Sequence, residues 1–406
     1  MIRRNLLRAA AFLAGAPVAR AVAASSGTVP LWTREQGAPL AEDRYGMPSP
    51  FESHVVRRPR EKLLFDTAGS IVTPFQDLDG IITPNGLHYI RSHAGTPAVD
   101  PGQHRLMVHG MVDRPLSFSM DDLMRFPSVS VIHFLECSGN TGLYNLADIK
   151  PDWTVQDTHG LLSCAEWTGV RVADVLAEAG LQPGATWMLA EGADACAMSR
   201  SIPVAKAMDD AILVYSQNGE RLRPEQGYPL RLLLPGYEGS TNIKWLRRLK
   251  LGNQPFETRE ETSKYTDLGR DGKALQFNFI MAVKSVITRP SPGLQLKQTG
   301  FHEISGIAWS GNGRITRVEV SADNGATWTD AALQGPVMPR CLTRFRLPWS
   351  WNGGPAMLQS RATDETGAVQ PTHAVLLAER GPNFYYHYNA ITSWRLAADG
   401  TFALAL

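Results

Sequence analysis

The stretch that decides the fold is FLECSGN, at residues 134–140, with Cys137 at its centre. The apolar run over residues 129–135 predicts a buried strand, and Gly139 and Asn140 predict a turn directly after it. A cysteine at the point where a strand opens into a loop is held rigidly and can still reach a ligand, as a metal thiolate or a nucleophile must. A free cysteine also packs as a small buried hydrophobe. Its interpretation therefore depends on the other segments of the chain.

Length and composition describe an ordinary globular protein. The chain has 406 residues, of which 43% are hydrophobic and 19% are charged. This length predicts about two domains, three at most. No segment after residue 24 approaches the roughly 20 consecutive apolar residues that cross a bilayer, so no membrane span is predicted.

The first 23 residues predict a Tat-type signal peptide. Arg3 and Arg4 precede a weakly apolar region, and residues 21–23 read AVA, an A-x-A cleavage site. Tat export carries folded proteins to the periplasm, which suits a protein that acquires its cofactor in the cytoplasm. A basic start followed by an ordinary helix is the alternative interpretation.

The charge of the remaining chain is close to balanced. Removing residues 1–23 takes away four arginines and no acidic residue, which leaves 36 basic and 39 acidic residues. A slightly negative chain argues against nucleic acid or an anionic membrane surface as the partner.

The four cysteines are widely spaced, and they are Cys137, Cys164, Cys196 and Cys341. They form neither a C-x-x-C pair nor a C-x-x-C-H motif, so the sequence predicts no zinc knuckle and no covalently attached haem. Spacing alone leaves any disulfide pairing open. Cys137 must stay outside a disulfide if it binds a metal.

The chain after the predicted signal divides into three regions. Residues 24–80 are rich in proline, glycine and charge, and they predict an irregular extension. Residues 81–275 predict an α+β domain, with strands at 106–110, 129–135 and 230–234 and helices at 172–180 and 203–208.

Residues 276–406 have a different character, with short strands and little helix. Apolar and polar residues alternate over 315–320, and Asp323-Asn324-Gly325 supplies a turn. Further strands are predicted at 343–347, 357–363 and 374–378. This pattern is typical of a β-sandwich of immunoglobulin-like size.

Three further segments place polar groups on backbone that should be ordered. They read YIRSH at residues 89–93, QGYPLR at 226–231 and GSTNIKWL at 239–246. Arg231 at the mouth of an apolar strand is costly to bury unless it meets an anion. A glycine-containing loop with serine, threonine and asparagine offers donors to the same anion. These groups fit a phosphate-bearing cofactor and an anionic substrate better than a hydrolytic triad.

In this order the motifs resemble the sulfite oxidase family of molybdenum enzymes. The Cys137 segment resembles the family's C-x-G-N motif, and residues 89–93 resemble its F-x-R-N-H motif. Residues 167–171, 201–209 and 218–246 also match, and residues 313–321 with Trp328 resemble the family's C-terminal dimerisation domain. The resemblance implies an α+β molybdopterin-binding domain, residues 81–275, followed by an immunoglobulin-like β-sandwich, residues 276–406.

Within the family, residues 158–169 and 386–394 resemble the molybdenum subunits of the periplasmic Sox sulfane (sulfite) dehydrogenases. That branch works with a separate c-type cytochrome subunit, in agreement with the missing haem motif. The resemblance implies a homodimer or heterotetramer that oxidises sulfite or carrier-bound sulfane sulfur by oxygen-atom transfer. Electrons would then pass to the cytochrome.

The resemblance also implies a role for each candidate residue. Cys137 would bind molybdenum, and Arg91 would hold a sulfur oxyanion beside it. Tyr265 lies close to the family's active-site tyrosine, although its charged neighbours are equally typical of a solvated loop. The molybdopterin cofactor would be bound by His93, Gln226, Arg231, Ser240, Thr241, Asn242 and Lys244.

Three positions depart from the family pattern. Thr141 and Gly142 follow the cysteine loop where typical members have arginines, Gln226 replaces a frequent histidine, and Ser92 replaces an asparagine. Less positive charge beside the metal makes free sulfite a poorer substrate. A bulkier, less charged sulfane or sulfonate on a carrier-protein cysteine becomes the alternative.

Two other functions stay open. One is a periplasmic methionine-sulfoxide reductase with the same catalytic fold, although those enzymes typically lack a C-terminal sandwich. The other is a non-enzymatic secreted binding protein, in which an immunoglobulin-like domain displays a structural α+β module. Metal and pterin analysis separates the second from the enzymes.

Overall fold

A computed structural model describes residues 33, 45–60, 68–142 and 149–405. The predicted signal peptide, residues 1–23, lies outside the described residues. The chain divides into two units, residues 1–53 and residues 54–406. The described part of the first unit contains one turn of 3₁₀ helix, Pro50–Glu52. All described strands and α-helices belong to the second unit.

The second unit begins with a mixture of short helices and strands, as the α+β prediction requires. Its helices are α1 (Met120–Leu123), α2 (Val155–His159), α3 (Val172–Ala179), α4 (Val204–Asp209) and α5 (Arg259–Thr262). Its strands are β1 (Arg58–Pro59), β2 (Gly69–Val72), β3 (Ile90–Ser92), β4 (Leu106–Gly110), β5 (Leu116–Phe118), β6 (Ser128–Glu136), β7 (Leu162–Arg171), β8 (Trp187–Gly192), β9 (Ser199–Pro203), β10 (Ile212–Gln217), β11 (Glu220–Arg221), β12 (Arg231–Leu233), β13 (Leu246–Gly252), β14 (Asp267–Leu268) and β15 (Ala274–Leu275). No helix among the described residues is long and apolar enough to cross a membrane.

Three larger sheets organise the described part of this α+β domain, beside the two-stranded sheet β14-β15. One has the order β1-β2-β3, and a second has the order β11-β10-β7-β6 with β12 beside β10. The third has the order β5-β4-β13-β8-β9, in which β4 and β13 run parallel. Helix α3 buries Val172, Val175 and Leu176 in the core between these elements and ends at Gly180, whose φ of 73° only glycine adopts readily.

The second half of the predicted irregular extension is partly regular. Strands β1 and β2 lie within residues 24–80, and β2 pairs with β3 through Gly69↔Ser92 and Ser70↔Arg91. A four-residue strand among prolines and glycines is too short to show periodicity in the sequence. The extension therefore contributes the strand beside Arg91.

The chain after residue 275 forms the predicted immunoglobulin-like sandwich. Its strands are β16 (Lys284–Arg289), β17 (Gly300–Trp309), β18 (Ile315–Ser321), β19 (Thr329–Asp330), β20 (Ala332–Gln334), β21 (Thr343–Trp351), β22 (Ala356–Asp364), β23 (Ser393–Leu396) and β24 (Phe402–Ala405). They form sheets of order β16-β17-β21-β20 and β19-β18-β22-β23-β24. Trp309, Phe345 and Trp394 are fully buried in the sandwich core.

The strand predicted at residues 374–378 is wrong, because this segment is helix α6 (His373–Arg380). The Thr372 hydroxyl caps the helix by accepting a hydrogen bond from the Val375 N–H, and Gly381 ends it. Only Leu376 of the helix is buried. A five-residue apolar run fits either structure, and the capping residues on both sides decide for the helix.

A buried ion pair joins the sandwich to the α+β domain. Glu136 ends β6, Lys284 begins β16, and the Lys284 Nζ donates to the Glu136 Oε1 over 2.7 Å. The same carboxylate accepts hydrogen bonds from the Trp309 Nε1 at 2.7 Å and the Asn140 Nδ2 at 3.0 Å. Neither charged side chain is more than 1% exposed. The end of β6, next to Cys137, is therefore positioned by side chains of the sandwich.

We expect Lys284→Met to lower the free energy of unfolding by about 3–5 kcal/mol, because it leaves the Glu136 carboxylate buried without its cation. Urea unfolding followed by tryptophan fluorescence measures the change. Lys273→Met is the matched control, since Lys273 pairs with Asp271 at the surface with 84% of its side chain exposed. Equal stability of the two variants would contradict the role of the buried pair.

Candidate cofactor site

A pocket lies where β3, the end of β6 and the loop after β12 meet. About 660 Å³ of non-atom space lies between its walls, including the open solvent at its mouth. Tyr89, Asp194 and Trp245 also contribute to its walls. Nine of the ten predicted site residues line it, and they are Arg91, His93, Cys137, Gln226, Arg231, Ser240, Asn242, Lys244 and Tyr265.

Cys137 lies at the wall of the pocket at the end of the β6–β7 pairing. Its backbone N–H donates to the Leu161 carbonyl over 3.0 Å, and its own carbonyl accepts from the Asn140 N–H over 2.8 Å. Burial raises the pKa of the Cys137 thiol, and the Arg91 guanidinium opposes that shift. A metal cation would favour the thiolate much more strongly than one arginine does. The strand thus presents a sulfur that suits a metal.

Arg91 belongs to the short strand β3 and points into the pocket lining. Its Nη1 donates to the Gly69 carbonyl over 3.2 Å and to the Ser92 carbonyl. These partners are uncharged, so the guanidinium charge is not neutralised by them. It remains available to an anion beside Cys137.

Arg231 is a buried cation whose hydrogen bonds go to neutral groups. It is 2% exposed, and its two terminal nitrogens donate to the Gln226 carbonyl at 3.1 Å and the Asn242 carbonyl at 3.3 Å. Its Nε has no hydrogen-bond partner among the described residues. Burial lowers the pKa of Arg231 to about 10. A buried guanidinium with an unused donor fits an anionic ligand such as phosphate.

Lys244 adds a second, half-buried cation to the same wall. Its Nζ donates to the carbonyls of Arg91 and Glu225, each over 3.0 Å. Burial, followed by the positive charge of Arg231, lowers the pKa of Lys244 to about 7. The ammonium lies 4.4 Å from the Trp245 ring centroid, which partly compensates for lost water.

His93 and Tyr265 form a neutral pair at the pocket. The Tyr265 hydroxyl and the His93 Nε2 are 3.1 Å apart. Burial, followed by the charge of Arg91, lowers the pKa of His93 to about 3, so the ring is neutral at neutral pH. Burial raises the pKa of Tyr265, so its phenol stays protonated. Tyr265 has a φ of 52°, a left-handed backbone conformation that is uncommon for bulky residues.

The turn Gly239–Thr241 is held by its own side chains. The Thr241 hydroxyl donates to the Glu238 carbonyl over 2.7 Å, and Thr241 does not line the pocket, contrary to its predicted role. The Asn242 Oδ1 accepts from the Leu234 N–H over 2.7 Å, so its amide also shapes the loop. Ser240 donates to the Glu238 Oε1 over 2.8 Å. Short polar side chains prefer such local hydrogen bonds.

Sequence reasoning missed a charged network behind this turn. Arg200 is 1% exposed, and it donates to the Glu238 Oε1 over 2.8 Å and lies 3.5 Å from the Glu261 Oε1. The His387 Nε2 is 3.2 Å from the other Glu238 oxygen. Burial would raise the pKa of Glu238, but Arg200 and His387 outweigh it and lower the pKa to about 2. The only sign of this network in the sequence was the presence of charged residues within apolar runs.

A C-terminal segment covers the cysteine loop, and this too was missed. The His387 N–H donates to the Ser138 carbonyl over 2.9 Å, and the Thr141 hydroxyl donates to the Tyr388 carbonyl over 2.6 Å. The Tyr386 ring lies 5.3 Å from the Tyr265 ring. The segment is therefore a part of the site although it lies about 250 residues after Cys137 along the chain.

Two family models match the chain. The oxidoreductase molybdopterin binding domain matches residues 93–260, and the Mo-co oxidoreductase dimerisation domain matches residues 276–393. The first range contains Cys137, Arg231 and Lys244, and the second contains the whole of β16 to β22.

Curated relatives include mitochondrial sulfite oxidases. The protein from Mus musculus is 34% identical over 67% of this chain and 52% of its own length. The protein from Homo sapiens is 33% identical over 74% of this chain and 58% of its own length. The chain thus spans between half and three fifths of the length of these relatives.

A solved structure is similar over nearly the whole chain. The crystal structure of the sulfane dehydrogenase SoxCD from Paracoccus pantotrophus is 44% identical, covers 93% of this chain and 97% of that chain, and superposes with a TM-score of 0.90. Its similarity extends across both domains. With a cysteine and unneutralised cations at one pocket, the chain therefore belongs to the sulfite oxidase family of molybdopterin-binding oxidoreductases.

Proposed function

We propose that this chain is a molybdenum-dependent enzyme that oxidises sulfite or carrier-bound sulfane sulfur by oxygen-atom transfer and passes the electrons to a c-type cytochrome. The observation that carries the proposal is one pocket in which Cys137 faces the cations Arg91, Arg231 and Lys244. The 44% identity to a sulfane dehydrogenase supports the choice of sulfur chemistry.

The residues present fit a molybdenum–molybdopterin group. Cys137 would hold the metal through its thiolate, because high-valent metals of this kind prefer polarisable sulfur. Arg231, with its unused Nε, and Lys244 would hold the phosphate of the pterin. When bound, the group supplies two-electron oxygen-atom transfer and returns its electrons singly.

Arg91 would bind and orient the substrate. Its guanidinium lines the pocket with Cys137, and its charge acts on that thiol. Sulfur oxyanions carry negative charge, and a planar guanidinium in a partly buried site stabilises it. Arg91 would therefore contribute to substrate binding.

The pair of His93 and Tyr265 would position a protonated phenol at the pocket. The neutral imidazole is 3.1 Å from the hydroxyl, and the Arg200 guanidinium lies 5.0 Å from the centre of the phenol ring. Such a phenol can donate a hydrogen bond to an oxygen of the substrate without adding negative charge. Burial of both groups keeps the pair uncharged.

The loop after Cys137 supports a substrate larger and less charged than free sulfite. Thr141 and Gly142 add no positive charge to the site, and Thr141 is used in a hydrogen bond to the C-terminal segment. A Cβ at Gly142 would lie 2.5 Å from the Tyr385 carbonyl oxygen, so this loop has no space for a longer residue. Only one of the cations, Arg91, is then left for the substrate. A persulfide or sulfonate on a carrier-protein cysteine meets this need.

The proposed location and partners rest on features of the sequence. Arg3-Arg4 and the AVA site support export by the Tat pathway to the periplasm. The cysteines form no haem-attachment motif, so electrons would leave for a separate c-type cytochrome subunit. The sandwich would join two copies as a homodimer, or as a heterotetramer with two cytochromes.

We expect molybdenum-loaded protein to reduce cytochrome c when supplied with sulfur substrate and its haem subunit. Carrier-bound sulfane should give a kcat/KM at least about 10-fold above that of free sulfite, because Arg91 alone binds the small dianion weakly. Stopped-flow absorbance of the haem measures both rates in parallel. Turnover of neither substrate, together with rapid reduction of methionine sulfoxide, would overturn the proposed function.

We expect Cys137→Ser to remove the protein thiolate from the metal and to lower turnover at least about 100-fold. X-ray absorption of the loaded protein measures the number of Mo–S distances before and after the change. Cys196→Ser is the control, because Cys196 is not in the pocket lining. An unchanged Mo–S contribution in the Cys137 variant would show that another residue binds the metal.

We expect the cofactor-free protein to gain stability as the pH rises from 7 to 9. The Lys244 pKa is lowered to about 7, so the unfolded chain binds more protons than the folded chain above that pH. This effect should contribute roughly 2 kcal/mol over the interval. Urea unfolding at each pH measures it.

The comparison with variants isolates the contribution of Lys244. Lys244→Met should lose that part of the pH dependence, and Lys273→Met, at an exposed position, should keep it. The same pH dependence in wild type and Lys244→Met would mean that folding does not lower the pKa of Lys244.

A further inference from the structure

Two buried cysteines from different domains face each other away from the cofactor pocket. Cys164 lies on β7 of the α+β domain, and Cys341 lies just before β21 of the sandwich. Their Sγ atoms are 3.5 Å apart, and the side chains are 0% and 1% exposed. They are separated by 177 residues of chain. Neither thiol has a part in the activity proposed above.

The backbone on the Cys164 side is fixed by its own contacts. Cys164 is paired with Phe134 in the β6–β7 ladder. Its N–H donates to the Thr83 hydroxyl over 3.1 Å, and its carbonyl accepts from the Thr83 N–H over 2.7 Å. The position of this thiol therefore does not depend on Cys341.

The backbone on the Cys341 side is fixed on the same strands. The Arg340 carbonyl accepts from the Phe134 N–H over 3.1 Å and lies 3.2 Å from the His133 Nδ1. The Arg340 guanidinium donates to Asp210 over 2.7 Å. Phe134 thus contacts both cysteine-bearing segments, and the two thiols meet because three separate contacts hold residue 340 against the α+β domain.

We propose that Cys164 and Cys341 form a disulfide that links the two domains covalently. A disulfide bond is about 2.05 Å long. The sulfur atoms stand 3.5 Å apart, so forming the bond requires them to approach each other by about 1.5 Å.

The oxidant is a second disulfide, either of a protein or of a small thiol such as glutathione. The thiolate of one cysteine attacks that disulfide, breaks its S–S bond and forms a mixed disulfide. The thiolate of the other cysteine then attacks the mixed disulfide and expels the second sulfur. Two electrons and the two thiol protons pass to the oxidant, which becomes two thiols. Because both thiols are buried, this exchange takes place when the sandwich opens transiently from β7, after the folded chain has been exported.

The bond would reinforce the region that presents Cys137. Phe134, opposite Cys164, lies on β6, three residues before Cys137. Closing a loop of 177 residues removes a large part of the freedom of the unfolded chain. The link would therefore act together with the Glu136–Lys284 ion pair to keep the sandwich on the α+β domain.

Peptide mapping tests the disulfide directly. The full chain is produced with export to a bacterial periplasm, purified without reductant, denatured in iodoacetamide and digested without reduction. We expect one peptide pair that joins Cys164 to Cys341, with Cys196 recovered in its alkylated form. Recovery of Cys164 and Cys341 as alkylated thiols, or a link from either one to Cys137 or Cys196, would overturn the proposal.

Thermal unfolding tests its effect. We expect reductant to lower the midpoint of the wild-type protein by about 5–10 °C. Cys164→Val/Cys341→Ala should be insensitive to reductant, and Cys196→Ala should respond like the wild type. A wild-type midpoint that does not change on reduction would contradict a stabilising disulfide. This comparison uses only the wild-type protein, so it does not depend on whether the variants fold.

Discussion

The position of the cofactor site depends on the buried ion pair between Glu136 and Lys284. Glu136 is the last residue of β6, and its carboxylate also accepts hydrogen bonds from Trp309 and Asn140. Lys284 and Trp309 belong to the sandwich, so the Glu136 carboxylate keeps these two partners only while the sandwich stays packed on the α+β domain. The sandwich therefore sets the end of the strand that presents Cys137, in addition to any role in joining subunits.

Two clusters of charge around the pocket have opposite properties. The cluster of Arg200, Glu238 and Glu261 pairs its buried charges internally and holds Tyr265 and the C-terminal segment in place. The cluster of Arg231 and Lys244 donates to backbone carbonyls instead, and neither side chain makes an ion pair with a carboxylate among the described residues. Paired buried charge stabilises a framework, whereas unpaired buried charge marks the place of a ligand.

Local patterns predicted many elements of the fold but not all of them. The apolar run at 129–135 and the amphipathic pattern at 172–180 correspond to β6 and α3, because each is long enough to show its period. The five apolar residues at 374–378 could not distinguish a strand from helix α6. The pairing of β2 with β3 could not be predicted from the sequence. Both strands are too short to show a period, and β2 lies in a proline-rich segment.

The sequence alone predicted the family, the two-domain order and nine of the residues that line the pocket. Eight of these residues lie in contiguous motifs, and Tyr265 was predicted from its position close to that of the family's active-site tyrosine. The tertiary structure decided that Thr241 holds a turn, that His387 approaches Glu238 from 149 residues away, and that Cys164 meets Cys341 across 177 residues. Contacts of this kind depend on distances through space after the domains have packed. The number of residues between two positions in the sequence does not predict those distances.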